Sequence, residues 1–83
     1  MKNPGLDRKV ISERLKTLRE REGITQEQLA QVLCTTQQIY SRYETAKADL
    51  PLHHLYTLTQ YYNVSSDYIL GNISYPKLPP ELS

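Results

Sequence analysis

Apolar side chains recur at Ile11, Leu15 and Leu18, a 4-3 spacing that gathers them on one helical face, with Val10 beside them and Arg, Lys and Glu dense on the other. The pattern predicts an amphipathic helix over 7–22, stopped by Gly23, which enters the left-handed conformation without a Cβ penalty. Thr25-Gln26-Glu27-Gln28 is a capping box: the Thr25 hydroxyl accepts from a first-turn amide while the Gln28 side chain reaches back to the Thr25 N–H. A second helix therefore begins at 26, with Leu29, Ala30 and Leu33 as its buried side, and it ends near Cys34 after about two turns. Thr35 and Thr36 offer the next N-cap, and Ile39, Tyr40 and Tyr43 supply the apolar positions of a third helix over 37–45.

Ala46 to Pro51 reads as a loop, with Pro51 suited to the first turn of a fourth helix that lines up Leu52, Leu55, Leu58 and Tyr62 before Asn63 ends it. Ser65 caps a short fifth helix, in which Asp67 favours the positive helix end and Tyr68, Ile69 and Leu70 pack inward before Gly71. From Asn72 onward Pro76, Pro79 and Pro80 exclude regular structure. The expectation is an all-α fold of five helices, with an N-terminal arm over 1–6, a domain over 7–71 and a Pro-rich tail over 72–83. No stretch alternates as a half-buried strand does, and there is neither an internal repeat nor a low-complexity segment.

Composition narrows the functional classes. Eighty-three residues make one domain with little room for a deep catalytic cleft, and a single Cys supports neither a disulfide framework nor a Cys-rich zinc site. No apolar run reaches the roughly 18 residues of a membrane span and no signal core follows Met1, so the chain is expected to be soluble and cytoplasmic. The formal charge is +1, unevenly placed: residues 1–22 carry seven basic and four acidic side chains (+3), leaving −2 for the remainder. Total charge neither announces nor excludes nucleic-acid binding, because a reading surface can be built from a few cations, amide side chains and helix N-termini.

The segment QEQLAQVLCTTQQIYSRYET, Gln26 to Thr45, resembles the helix-turn-helix of the phage repressor and Cro family and of the related XRE-type bacterial regulators. The likeness extends over roughly 11–70, from the Leu15-Lys16-Thr17-Leu18-Arg19 segment to Val64-Ser65-Ser66-Asp67-Tyr68-Ile69-Leu70. It implies a five-helix lambda-repressor-like DNA-binding domain. The residues meet the motif's physical needs: Ala30 is small where two helices cross closely, and Leu29, Leu33, Tyr40 and Tyr43 stand where apolar groups must fill the wedge. An ordinary helical hairpin would share those features but not the capping box, the short turn and the Ser41-Arg42-Tyr43-Glu44 ending together. Two positions depart from the family pattern: Cys34 stands where the turn usually has Gly, and Thr45-Ala46 where Asn-Gly is usual. A positive φ at Cys34 would cost on the order of 1 kcal/mol. Its thiol reads as a buried structural group, with redox sensing as the sharper alternative.

With Tyr40, Tyr43 and Glu44 turned inward, Thr36, Gln37, Gln38, Ser41, Arg42 and Thr45 are left outside on the third helix. Gln37 and Gln38 are the first candidates for reading bases, with Thr36, Ser41 and Arg42 beside them. A carboxamide donates and accepts together and so matches adenine N6 and N7, a pairing worth about 1–3 kcal/mol against a wrong base. Some phage repressors open this helix with the same Thr-Thr-Gln-Gln and read bases with the two Gln. The plain alternative is that both Gln are merely solvated. Ile39 either joins the core or meets a thymine methyl. Phosphate contacts are expected from Gln26, at the N-terminus of the second helix, and from Thr36, Arg42 and Lys47; Arg42 could equally meet a base edge or be a surface charge. The resemblance also implies that Arg19 pairs with Glu44 as a structural ion pair that orients the recognition helix.

Other chemistry finds little support. His53 and His54 are adjacent, so they are expected on different faces and unable to share a metal, and neither a Gly-rich phosphate loop nor a nucleophile with an identifiable base appears. No enzyme, cofactor or small-molecule substrate is expected. Two functions of different class remain. One is a DNA-binding regulator, most simply a repressor that binds double-stranded DNA as a homodimer on an inverted repeat, its dimer contacts drawn from Tyr68, Ile69, Ile73, Tyr75 and Leu78. The other is a protein-interaction module, an antitoxin or adaptor, which low net charge favours and the exposed set Gln37, Gln38 and Arg42 disfavours.

Overall fold

The computed structural model describes residues 6–74, and these form five helices: α1 (Arg8–Glu22), α2 (Gln26–Val32), α3 (Gln37–Glu44), α4 (Leu52–Tyr62) and α5 (Ser66–Leu70). Asp7 lies just outside α1 as its N-cap, accepting from the amides of Lys9 and Val10. At the other end Gly23 is left-handed, φ 70°, and the Ile24 and Gly23 amides close on the Arg19 and Glu20 carbonyls, which the helix would otherwise leave unpaired. The capping box of α2 is complete: Gln28 N–H donates to Thr25 Oγ1 at 3.0 Å, and Thr25 N–H donates to Gln28 Oε1 at 2.9 Å. Thr36 caps α3 through the Ile39 amide, and Ser65 caps α5 through that of Asp67.

Ile11, Leu15 and Leu18 of α1 face Leu29, Ala30 and Leu33, then Tyr40 and Tyr43 of α3, Leu55 and Leu58 of α4, and Tyr68 and Ile69 of α5 in one core. Leu15, Leu29, Tyr40, Leu58 and Ile69 are completely covered. Gly71, φ 88°, lets the chain turn hard against α1, where a Cβ would come within 2.6 Å of Val10 Cγ1. Arg14 closes the same corner: its guanidinium lies 4.3 Å from the Tyr68 ring centroid and donates to the carbonyls of Tyr68 (2.7 Å) and Ile73 (2.9 Å). Asn72 is bonded back to Asp67, so the first two residues of the expected tail are held to the domain. The remainder of that tail, with Tyr75 and Leu78, and the arm apart from Leu6 lie outside the described residues.

Several expectations need correction. Pro51 is the N-cap of α4 rather than a residue of its first turn, and Leu52 is 80% exposed. The inward face is instead His54, Leu55 and Leu58, with Tyr62 half-buried, because at about 100° per residue His54 falls within the stripe that Leu55, Leu58 and Tyr62 form while Leu52 falls beyond its edge. His54 packs edge-on to Tyr43 with centroids 5.9 Å apart. Nor do the two histidines diverge: their rings sit 4.1 Å apart, His53 exposed and His54 buried. Among the described residues no three His, Cys, Asp or Glu groups gather as a metal site. Cys34 has φ 57°, as the turn demands, but its side chain is exposed, not buried, because the left-handed residue points away from the wedge that Leu33 fills. Tyr68 and Ile69 are buried in the chain's own core and are therefore not free for a dimer contact. No described helix is long and apolar enough to cross a membrane.

Candidate nucleic-acid interface

The turn 33–36 presents the N-terminus of α3 to the outside beside the N-terminus of α2. Thr35 N–H donates to the Ala30 carbonyl at 2.9 Å and Cys34 N–H to that of Gln31 at 3.1 Å, which fixes the angle between the two helices. Thr36, Gln38, Arg42, Thr45 and Lys47 are exposed on this side, while Gln26, Gln37 and Ser41 are half-buried. An open cleft between α2 and α3 is edged by Gln26, Glu27, Gln31, Thr36, Gln37 and Gln38. Ile39 is exposed and so stands outside the core. Arg42 and Lys47 are the cations of α3 and the following loop; the loop folds back through the Lys47 and Ala48 amides onto the Arg42 carbonyl. Thr45 turns its hydroxyl back to the Ser41 carbonyl at 2.9 Å.

Beneath this edge lies a polar cluster centred on Glu44. Its side chain is 3% exposed, and that of Arg19 14%. Arg19 grips the carboxylate with two bonds, Nε to Oε2 at 2.7 Å and Nη2 to Oε1 at 3.1 Å, and its third nitrogen donates to the Ile24 carbonyl at 2.9 Å. Tyr40, one turn earlier on α3, donates its hydroxyl to Oε2 at 2.5 Å, and Gln26 Nε2 donates to Oε1 at 3.1 Å. Four donors thus converge on one buried anion, and this full set of partners is what makes a charge tolerable in the interior. Burial alone pulls the Glu44 carboxyl upward, but the bonds from Arg19, Tyr40 and Gln26 outweigh it and hold its pKa below the ordinary carboxylate range. Burial, and then donation to Glu44, push the Tyr40 hydroxyl well above a free phenol. α1, α2 and α3 are tied at a single point through Arg19, Gln26 and Glu44.

The cluster reaches the surface. Gln37 Nε2 donates to Gln26 Oε1 at 2.7 Å, so a chain of hydrogen bonds runs from Arg19 through Glu44 and Gln26 to Gln37. Sequence reasoning missed this chain, as it missed the Tyr40 hydroxyl. The Tyr40 bond had a local signal, since residues four apart on a helix are neighbours. The Gln26 to Gln37 contact spans two helices and has none.

A family profile described as helix-turn-helix, HTH_3, matches residues 15–69, two-thirds of the chain and all of α2 and α3. The chain belongs to the HTH_3 helix-turn-helix family. Within that family it is 41% identical over 59 residues to the uncharacterized HTH-type transcriptional regulator YobD of Bacillus subtilis, covering 71% of this chain and 53% of YobD. It is 38% identical over 61 residues to YonR, an SPbeta prophage-derived uncharacterized HTH-type transcriptional regulator of the same organism, covering 74% of this chain and 56% of YonR. The chain thus spans about half the length of these curated relatives. The crystal structure of a hypothetical transcription factor, NHTF, from Neisseria superposes with a TM-score of 0.69 over 99% of this chain and 92% of that one; at 20% identity the likeness is one of fold.

Proposed function

We propose that this helix-turn-helix protein is a sequence-specific DNA-binding regulator of transcription that acts in the cytoplasm as a repressor and reads an inverted repeat as a homodimer. The observation that carries this reading is the outward edge of α3, where Gln38 is exposed and Gln37 is braced through Gln26 on the buried Arg19–Glu44 pair. In this proposal α3 enters the major groove by its N-terminus, with Gln37, Gln38, Thr36, Ser41 and Arg42 meeting base edges. Gln26, Thr36, Arg42 and Lys47 meet phosphates; the α2 N-terminus adds unpaired amides and a positive dipole end for an anion. One such helix covers few base pairs, so two protomers related by a two-fold axis, on half-sites about one helical turn apart, give a site of useful length. The relatives' description as HTH-type transcriptional regulators agrees with this reading.

Selection from a pool of random duplexes at fixed salt tests it. An inverted-repeat consensus is expected, with positions that relax in Gln37→Ala and Gln38→Ala. Recovery of no consensus would sink the reading and favour a protein-binding role for the same fold.

A further inference from the structure

We propose that the groove between the α2–α3 turn and the start of α4 is a binding site for a small, uncharged aromatic molecule bearing a hydroxyl, which hydrogen-bonds to His54. The groove shares no lining residue with the cleft edged by Gln26 and Gln37, and the inference does not depend on the DNA-reading role. Val32 and Leu33 line it from the end of α2, and Leu52 and Tyr56 from α4. The open space measures about 840 Å³, within the range of roughly 300–1,000 Å³ that small-molecule sites occupy. Core packing does not account for this surface. The inward face of α4 is His54, Leu55 and Leu58, yet Leu52 and Tyr56, four residues apart and so neighbours on the helix, are 80% and 66% exposed. The first turns of α4 are therefore apolar on two sides.

The chemistry of the lining selects the ligand class. Among the described residues that line the groove none is Asp, Glu, Lys or Arg, so a charged molecule would lose hydration there without gaining a countercharge. Flat rings find faces to pack on in Tyr56 and in the His53–His54 pair, whose centroids are 4.1 Å apart. One polar group waits for a partner. His54 borders the groove, is only 8% exposed and makes no hydrogen bond to any described residue. Burial, and then His53, hold its pKa below the ordinary value, so the ring is neutral at pH 7 and offers one lone pair and one N–H. Leaving such a group unbonded is costly, and a hydroxyl, which donates and accepts, answers whichever nitrogen faces it. The Cys34 thiol, exposed on the same groove, reports on occupancy.

Two probes, 2-naphthol and naphthalene, test the site in the full-length protein. Cys34 is the one cysteine, so its alkylation by iodoacetamide is read directly as a mass change. 2-Naphthol should slow that alkylation in a saturable way. Leu52→Glu leaves the core untouched, because Leu52 is exposed, and should weaken both probes by about fivefold or more through lost apolar contact and a charge in the groove. His54→Phe keeps a ring in place and removes the polar partner. The ratio of 2-naphthol to naphthalene affinity should therefore fall by about 2- to 12-fold in this variant, the range of one net hydrogen bond. The same contact is read without a variant: the ¹⁵N resonances of the His54 ring should move more with 2-naphthol than with naphthalene. No protection of Cys34 by 2-naphthol up to about 1 mM, protection that never saturates, or full affinity in Leu52→Glu would overturn the site. An unchanged affinity ratio in His54→Phe, or equal His54 shifts with the two probes, would overturn the choice of ligand class.

Discussion

Arg19→Met is the most informative single perturbation of the scaffold. It keeps an unbranched side chain of similar reach and removes two of the four donors to a carboxylate whose side chain is 3% exposed. Hydrogen bonds to charged groups contribute about 1.5–3 kcal/mol each, so two losses sum to roughly 3–6 kcal/mol, in line with the 3–5 kcal/mol typical of stripping one partner from a buried pair. The retained bonds from Tyr40 and Gln26 place the expectation at the lower end, about 3 kcal/mol. A domain of this size is stable by only about 5–10 kcal/mol, so the variant should lose a large share of its stability at pH 7. Urea titration followed by circular dichroism measures it. The double variant Arg19→Met/Glu44→Leu should recover much of the loss, because no charge is then left unpaired. The pH dependence follows from the same contact: Glu44 titrates lower in the folded than in the unfolded chain, so its stabilisation is full above the ordinary value of 4.5 and fades as pH falls through the folded-state value. A loss below about 1 kcal/mol in Arg19→Met, or a double variant no better than the single, would refute the assignment of this pair as the tie between α1 and α3.

Further outcomes are expected elsewhere. Cys34→Gly should stabilise the domain by about 1 kcal/mol by relieving the left-handed backbone at φ 57°, raising Tm by about 4–8 °C in a thermal melt; Gly71→Ala should destabilise it, because the new Cβ would meet Val10 at a backbone φ of 88°. Burial, and then the neighbouring His53, hold the His54 pKa below 6.5, so the unfolded chain takes up the proton first and stability should fall as pH drops through and below 6.5. Denaturant midpoints at pH 7.5 and 5.5 should show a fall that shrinks in His54→Leu. For DNA binding by the proposed homodimer, phosphate contacts from Arg42 and Lys47 of each protomer would give a slope of log K against log salt of about −4, from about −0.9 per phosphate neutralised. Lys47→Ala should make that slope shallower by about 2 in the dimer while leaving the consensus unchanged.

Helix ends were legible because their signals are local. Thr25 with Gln28, Ser65 before Asp67, and the left-handed Gly23, Asn63 and Gly71 each act within one turn of the residues they cap. The opposing helix faces were legible for the same reason wherever the helix start was fixed, as in α1 and α3. At α4 the start lay one residue later than expected, and the stripe through Leu55 and Leu58 takes in His54 and leaves Leu52 outside it, a difference that 3-3 spacing alone does not reveal. Placement between elements was not legible. Whether Cys34 faces inward, whether Tyr68 and Ile69 are free, and whether Gln26 meets Gln37 all depend on how helices pack across the core. The candidate residues could be named one by one from sequence, but the order of hydrogen bonds that joins four of them could not.

The most direct test of the central claim is the ratio of affinities for a selected duplex and a scrambled duplex of equal length, measured at one salt concentration for wild type and Gln38→Ala. An amide edge that reads bases predicts a wild-type ratio of at least about 10³, cut by about 5-fold or more in Gln38→Ala while binding to the scrambled duplex is unchanged. A wild-type ratio near unity, or one that Gln38→Ala leaves intact, would contradict it.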